Sequence, residues 1–285
     1  MNEEADSRAL PVAEPTDDLH DPQSLPRQST DLRNRMLAHT AVSHAQGILK
    51  ERYRLRSLHE GFELLRKTSQ RHNIKLHTLA DAVIRIPGPA HQASVWFPGR
   101  ARTSPPPLTG LRSTNHNGRT HAQAAVLGSA LDRVLDITQT TMGNLQLAEN
   151  NLLRLARHTG LNRQFTDYFT FVDGVGTACA QAAKEQQQVT VHDVATAGVF
   201  DEESRRAILD AGSRACHSLP VMGERNILLG VISSHHPRPL KGLTRTQLDA
   251  LQTTGVTLGR WLSWHRRTVV LDALEDLHTA GRQAT

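Results

Sequence analysis

From about Asp31 to Tyr53 the apolar positions Leu32, Met36, Val42, Ala45, Ile48, Leu49 and Tyr53 recur mostly at steps of three and four. That spacing predicts one helix with a single apolar stripe. Ser57 and Glu60 have the spacing of a capping box, and Leu58, Phe62, Leu65 and Ser69 then form the inner face of a second helix. Leu76, Leu79, Ala80, Val83 and Ile84 repeat the pattern in a third, which stops before Pro87. The joins at Arg54–Arg56 and His72–Ile74 are so short that neighbouring helices must fold back on one another. A three-helix unit of about 55 residues is marginal alone, and pairing with a second copy would help it.

The periodicity then disappears. Pro87-Gly88-Pro89, Pro98-Gly99, Pro105-Pro106-Pro107 and Asn115–Gly118 break any regular element. This stretch reads as a flexible linker spanning on the order of 30 Å, with Val95-Trp96-Phe97 free to dock. From His121 a mixed pattern begins. A helix over Ala122–Gln139 leads into strands "GNLQLAEN" and "NLLRLARH", joined by a tight turn. Helical "NRQFTDYFTFV" and "TACAQAAKEQ", strand "QVTVHDV", helix "DEESRRAILDAG", strands "RACHSLPVM" and "NILLGVISSHH", and a long closing helix from Leu243 follow. The order fits an antiparallel sheet with helices on one face and a cradle of helices and loops on the other. The expected fold is therefore α+β in two domains. Its divisions are an acidic, disordered tail 1–27, a helical domain 28–86, the linker 87–120, a sheet domain 121–268 and a C-terminal helix or tail 269–285. Leu248, Leu251, Val256, Leu258 and Leu262 of the closing helix are the expected seam of a homodimer.

Composition narrows the class. The chain has 285 residues, 38% of them hydrophobic and 4% aromatic, so its cores must be mainly aliphatic. The first residues lack the basic and apolar regions of a signal peptide. No apolar run approaches the roughly 18 residues of a membrane helix. Two cysteines far apart make neither a disulfide framework nor a zinc pattern. The expected location is cytoplasmic, with no membrane association. Net charge is −5 over 1–27, +6 over 28–86, +4 over 87–120 and zero over the remainder. That asymmetry points to an acidic partner such as nucleic acid, with a solvated helical surface as the plain alternative.

Lys50 and Arg54 lie one turn apart off the apolar stripe of the first helix. Arg66, Lys67 and Arg71 crowd the polar side of the second, and Asn73 and Lys75 occupy the next turn. Cations this dense repel one another, and a phosphate backbone would make the arrangement favourable. The stretch "AVSHAQGILKERYRLRSLHEGFELLRKTSQRHNIKLHTLADAVI" resembles the ANTAR family of RNA-binding output domains of bacterial transcription antiterminators. The resemblance rests on Ala45, Gly47, Ile48-Leu49, Phe62, Leu65-Arg66, Asn73, Lys75-Leu76 and Ala80. It departs at Gln46, where lysine is common, and at Lys50, where methionine is common. It implies binding to paired hairpins in a leader transcript, blocking a terminator. The small residues Ala45 and Gly47 have two readings, close helix packing or a bare backbone that an RNA loop can approach. Glycine inside a helix costs about 1 kcal/mol relative to alanine, so some reason is needed.

"MGNLQLAENNLLRLARHTGL", "GVGTACAQAAKEQQQVTVHDV" and "SLPVMGERNILLGVISSHH" resemble the GAF sensory domain. That resemblance implies a small-molecule ligand, of unknown identity, or a dimerisation role. His235 and His236 are adjacent on a strand, point to opposite faces and cannot chelate one metal ion together. Cys216-His217 is similar to the pair by which phytochromes hold a bilin, but reads as core. Cys179 reads as buried and inert, with a redox-sensing thiol as the alternative. Neither paired carboxylates, a serine–histidine constellation nor a glycine-rich phosphate loop stands out. No catalytic residue, metal or cofactor is expected. The expected function is hairpin-RNA-binding antitermination under a GAF sensor. The alternative is a signalling or dimerisation module whose basic helices bind a protein partner. A DNA-binding repressor fits less well, for want of a recognition helix.

Overall fold

The computed structural model describes residues 24–90, 92–111, 122–149 and 151–284, without the side chains of 24–35, 37 and 38. Most of the acidic N-terminal tail, and residues 91 and 112–120 of the expected linker, lie outside that description. Three helices come first, α1 Ser24–Arg52, α2 Leu58–Arg71 and α3 Leu76–Arg85. The first begins earlier than its apolar stripe predicts.

Both joins are built alike. After α1 the Leu55 N–H donates to the Lys50 carbonyl (3.0 Å) and the Arg54 N–H to that of Glu51. After α2 the Ile74 N–H donates to the Ser69 carbonyl (3.0 Å) and the Asn73 N–H to that of Gln70. Arg54 and Asn73 both take positive φ, 48° and 50°. These are Schellman helix ends, each followed by a buried apolar residue, Leu55 or Ile74, that ties the turn to the core. The cap of α2 differs from the expected box in one half. Ser57 accepts from the Glu60 N–H, whereas the Glu60 carboxylate reaches past Ser57 to the Arg56 N–H at 3.0 Å. Leu58 and Met36, expected on inner faces, are exposed.

The second domain starts with α4 Gln123–Thr138. It continues through β1 Met142–Glu149, β2 Leu152–Thr159, α5 Arg163–Tyr168, β3 Phe171–Val172, α6 Ala178–Glu185 and β4 Val189–Val191. Then come α7 Glu202–Asp210, β5 Ala215–Met222, β6 Leu228–His236 and α8 Arg245–His265. The six strands form one sheet in the order β3-β2-β1-β6-β5-β4, with every pair antiparallel. One face packs on α4 and α8 through Val134, Leu145, Ile232, Leu258 and Trp261. The other packs on α5, α6 and α7 through Phe165, Val172, Ala182, Ile208 and Val231. Leu251, Leu258 and Leu262 are fully buried in the first of these cores. They are not available as a dimer seam. The sheet consumes that face of the closing helix.

Two further differences concern the ends of the domains. The closing helix passes through a five-residue π turn, Arg266–Val270, into α9 Leu271–Gln283. Its residues Ala273, Leu274 and Leu277 are fully buried among Leu49, Leu65, Leu79 and Val83 of the helical unit. The marginal three-helix unit is thus completed by a fourth helix from the same chain. Gly281 permits the contact, because a Cβ there would lie 2.6 Å from the Tyr53 ring.

The Pro/Gly-rich segment is not loose over 92–111. Trp96 is buried and donates its ring N–H to the Pro87 carbonyl, while Glu275 of α9 accepts the backbone N–H groups of Trp96 (2.9 Å) and Phe97 (3.1 Å). Asp272 accepts from Arg100 and Arg102, and Trp264 donates to the Thr103 carbonyl at 2.7 Å. A segment without repeating structure of its own is fixed by side chains of the helix it crosses.

Candidate nucleic-acid interface

On the exposed side of α1, Gly47 and Lys50 follow one another by three residues, and Arg54 sits in the join beyond. A Cβ added at Gly47 would meet nothing within 4 Å, so packing inside the chain does not require glycine there. Ala45, by contrast, is completely buried. Of the two small residues, the first leaves open backbone at the surface and the second serves helix packing.

The seven predicted residues divide into groups. Lys50, Arg54 and Lys67 are exposed and have no ion-pair partner among the described residues. Arg56, in the same join as Arg54, is a further exposed cation that the sequence reading left out. Arg66 is engaged along its own helix, bound by two hydrogen bonds to Glu63 (2.7 and 2.9 Å) and by one to Gln70. Arg71 is exposed but lies 3.5 Å from Asp276, which also accepts from His72 at 2.8 Å. The C-terminal helix thus sets a carboxylate beside the basic surface. Asn73 is exposed, and its left-handed backbone already has a structural purpose in ending α2.

Lys75 faces elsewhere. With His77 and Thr78 at the start of α3 it lines a cavity of about 160 Å³ against Arg154 and Arg157 of β2. Burial, then the charges of Arg154 and Arg157, hold its ammonium below the usual lysine range. Glu149 accepts from Arg154 (2.8 Å) and lies 3.2 Å from the Nδ1 of His77. Burial acts to raise the Glu149 pKa, but the hydrogen bonds and charges of His77 and Arg154 prevail and bring it to about 2. Arg154 also contacts the Nε2 of His77.

The sheet domain has its own candidate pocket between the sheet and α5–α7, lined by Asn144, Gln146, Cys179, Cys216, Ser233 and His235. Its volume is only about 20 Å³, room for roughly one water. The Gln146 side-chain amide oxygen there is buried without a hydrogen-bond partner. A small-molecule ligand would require this pocket to widen. Burial raises the Cys179 thiol and pushes Cys216 up to about 12, the state of inert core thiols. His217 sits between Thr190 (2.8 Å) and Gln188 (3.0 Å), and His235 between Ser213 (3.0 Å) and Asn144 (3.1 Å), so both side chains are used within the fold.

A helical unit with open cations, completed by a helix from a six-stranded antiparallel sheet domain, defines a two-domain α+β protein. Comparison with known families makes this particular. The ANTAR domain matches residues 30–84 and the GAF domain matches 124–260. The chain therefore carries an ANTAR domain followed by a GAF domain. No curated protein matches the chain. Among solved structures it is similar to the GAF domain/HD domain protein from Geobacter sulfurreducens, at 12% identity, covering 50% of this chain and 93% of that one, with a TM-score of 0.41. The GAF domain from Acinetobacter phosphoenolpyruvate-protein phosphotransferase is 15% identical, covering 55% and 85%, with a TM-score of 0.37. The reduced form of fRMsr of Staphylococcus aureus is 14% identical, covering 47% and 90%, with a TM-score of 0.36. No helix among the described residues is long and apolar enough to cross a membrane.

Proposed function

We propose that the protein is a non-enzymatic, cytoplasmic regulator whose ANTAR domain binds hairpins in leader transcripts under control of its GAF domain. The observation that carries this reading is the exposed basic surface. Lys50, Arg54 and Lys67 have no ion-pair partner among the described residues, and the Gly47 backbone lies open beside them. Unneutralised cations at this density repel one another in the free protein and gain when phosphates displace their counterions. Binding to paired hairpins favours a homodimer. Its seam would have to lie outside the buried Leu251–Leu262 stripe, and exposed Met36 and Leu58 of the output unit are apolar side chains available for one.

The sensor has a direct route to this surface. The helix α8 lines the sheet core, and its continuation α9 supplies three fully buried side chains to the output core. A ligand that binds two positions of α8 with different affinity would therefore shift the output unit with it. The test is fluorescence anisotropy of the full chain with a two-hairpin RNA, an unstructured RNA of equal length and a duplex DNA. We expect at least about tenfold preference for the hairpins, a difference of about 1.4 kcal/mol. Equal affinity for all three, or none, would overturn the reading and favour a protein partner for the basic helices.

A further inference from the structure

Arg154 and Arg157 stand three residues apart on β2. In a regular strand such residues point to opposite faces. The pairing with β1 breaks its register here, since Leu145 opposes Arg157 while its neighbour Gln146 opposes Leu155, leaving Ala156 without a partner. The extra residue is a β-bulge, and it turns both arginines into the same cavity. Lys75 enters from the other domain, at the first turn of α3, which no side chain caps.

The charge balance in this cavity is one-sided. Lys75, Arg154 and Arg157 meet one carboxylate beside the cavity, Glu149, which Arg154 and His77 already hold. Lys75 has no ion-pair partner among the described residues, and Arg157 donates only to the Ala124 carbonyl, at 2.7 and 3.1 Å. Leu127 and Leu147 line the cavity beside these charges, and Lys75 stays exposed at its mouth. The cavity lies on the opposite face of the sheet from the small pocket between the sheet and α5–α7.

We propose that this cavity binds a small divalent oxyanion of the phosphate type, free or as the phosphoryl group of a small phosphomonoester, which bridges Lys75 of the output domain to Arg154 and Arg157 of the sensor domain. A volume of about 160 Å³ has room for such an anion. The two guanidiniums supply planar, multidentate recognition and the ammonium a point charge. An occupant would hold the two domains together through charge, in addition to the helix they share. The site stands on its own residues and does not depend on the RNA reading.

The experiment is calorimetric titration of the full chain with inorganic phosphate and, separately, glycerol 2-phosphate, with chloride at matched ionic strength as the blank. Saturable binding of one anion per chain is expected, with a melting temperature that rises with anion concentration. Arg157→Gln and Lys75→Gln should each weaken binding at least about tenfold, while Lys241→Gln, an exposed cation elsewhere, should leave it unchanged. Binding of glycerol 2-phosphate in clear preference to phosphate would assign the occupant to a phosphomonoester, and the reverse to the free ion. If Arg157→Gln does not fold, as judged by far-ultraviolet circular dichroism, the surface variant Lys75→Gln decides. A response no larger than that to chloride, or undiminished binding in Lys75→Gln, would overturn the site.

Discussion

His217, His235 and His265 are buried imidazoles whose pKa values fall to about 4, 3 and 4, in each case chiefly because burial penalises the charged ring. In the unfolded chain each titrates near 6.5. Between that value and the folded one, only the unfolded state binds the proton, so stability falls as the pH is lowered through this window. Each histidine can cost up to about 2 kcal/mol at pH 5. The urea midpoint should therefore drop clearly between pH 7.5 and pH 5, and His265→Gln should flatten the drop. A midpoint independent of pH over that range would contradict the burial of these rings. Glu149 acts in a lower window. Its folded pKa is depressed from an ordinary 4.5, so its contribution is present above that value and lost as the pH falls toward 2. The thiols allow a second check. With Cys216 near 12 and Cys179 raised, a thiol reagent at pH 8 should label neither in native protein and both after unfolding. Fast native labelling would revive a redox role.

The elements differ in how far the chain announces them. Helix α3 follows its apolar spacing closely, whereas of the expected α2 face Leu65 and Ser69 are buried, Phe62 is half-buried and Leu58 is exposed. The bulge that joins Arg154 and Arg157 leaves no mark in the local sequence, since it is a property of how β2 pairs with β1. Trp96 lies in a segment whose prolines and glycines read as flexible, yet its partner Glu275 stands 179 residues away, and Asp272, which holds Arg100, 172 residues from it. The same holds for Leu274 and Leu277, whose stripe is visible but whose partner is not. Leu251 and Leu262 have the spacing of a coiled seam, and spacing alone does not distinguish a second copy from a sheet. Two glycines test these assignments. Gly281→Ala places a methyl against the Tyr53 ring and should destabilise by about 1–3 kcal/mol. Gly47→Ala meets open space and should stabilise α1 by about 0.5–1 kcal/mol while weakening RNA binding. Thermal melts of both variants, with binding curves for the second, give the comparison. A destabilising Gly47→Ala would show that packing, rather than access, holds that glycine.

In the whole molecule the two domains share a helix, a docked segment and a cationic cavity. Control of the output surface then needs no free linker. The acidic N-terminal tail contributes seven carboxylates directly before the basic domain. Because α1 already begins at Ser24, inside the expected 1–27 tail, the test removes residues 1–23, which should tighten non-specific RNA binding, more so at low salt where screening is weak. Equal affinities of the two forms at low salt would reduce the tail to a solubility element. The central claim, that the exposed cations of α1 and α2 meet phosphates, is tested most directly by the salt dependence of RNA affinity. If Lys50, Arg54, Lys67 and Arg71 make about four phosphate contacts, log K should fall against log salt with a slope of about −3, a drop of roughly sixty-fold from 50 to 200 mM. The double variant Lys50→Gln, Lys67→Gln should bring the slope to about half that value with helicity unchanged. A wild-type slope near zero, or a double variant with the full slope, would contradict the account.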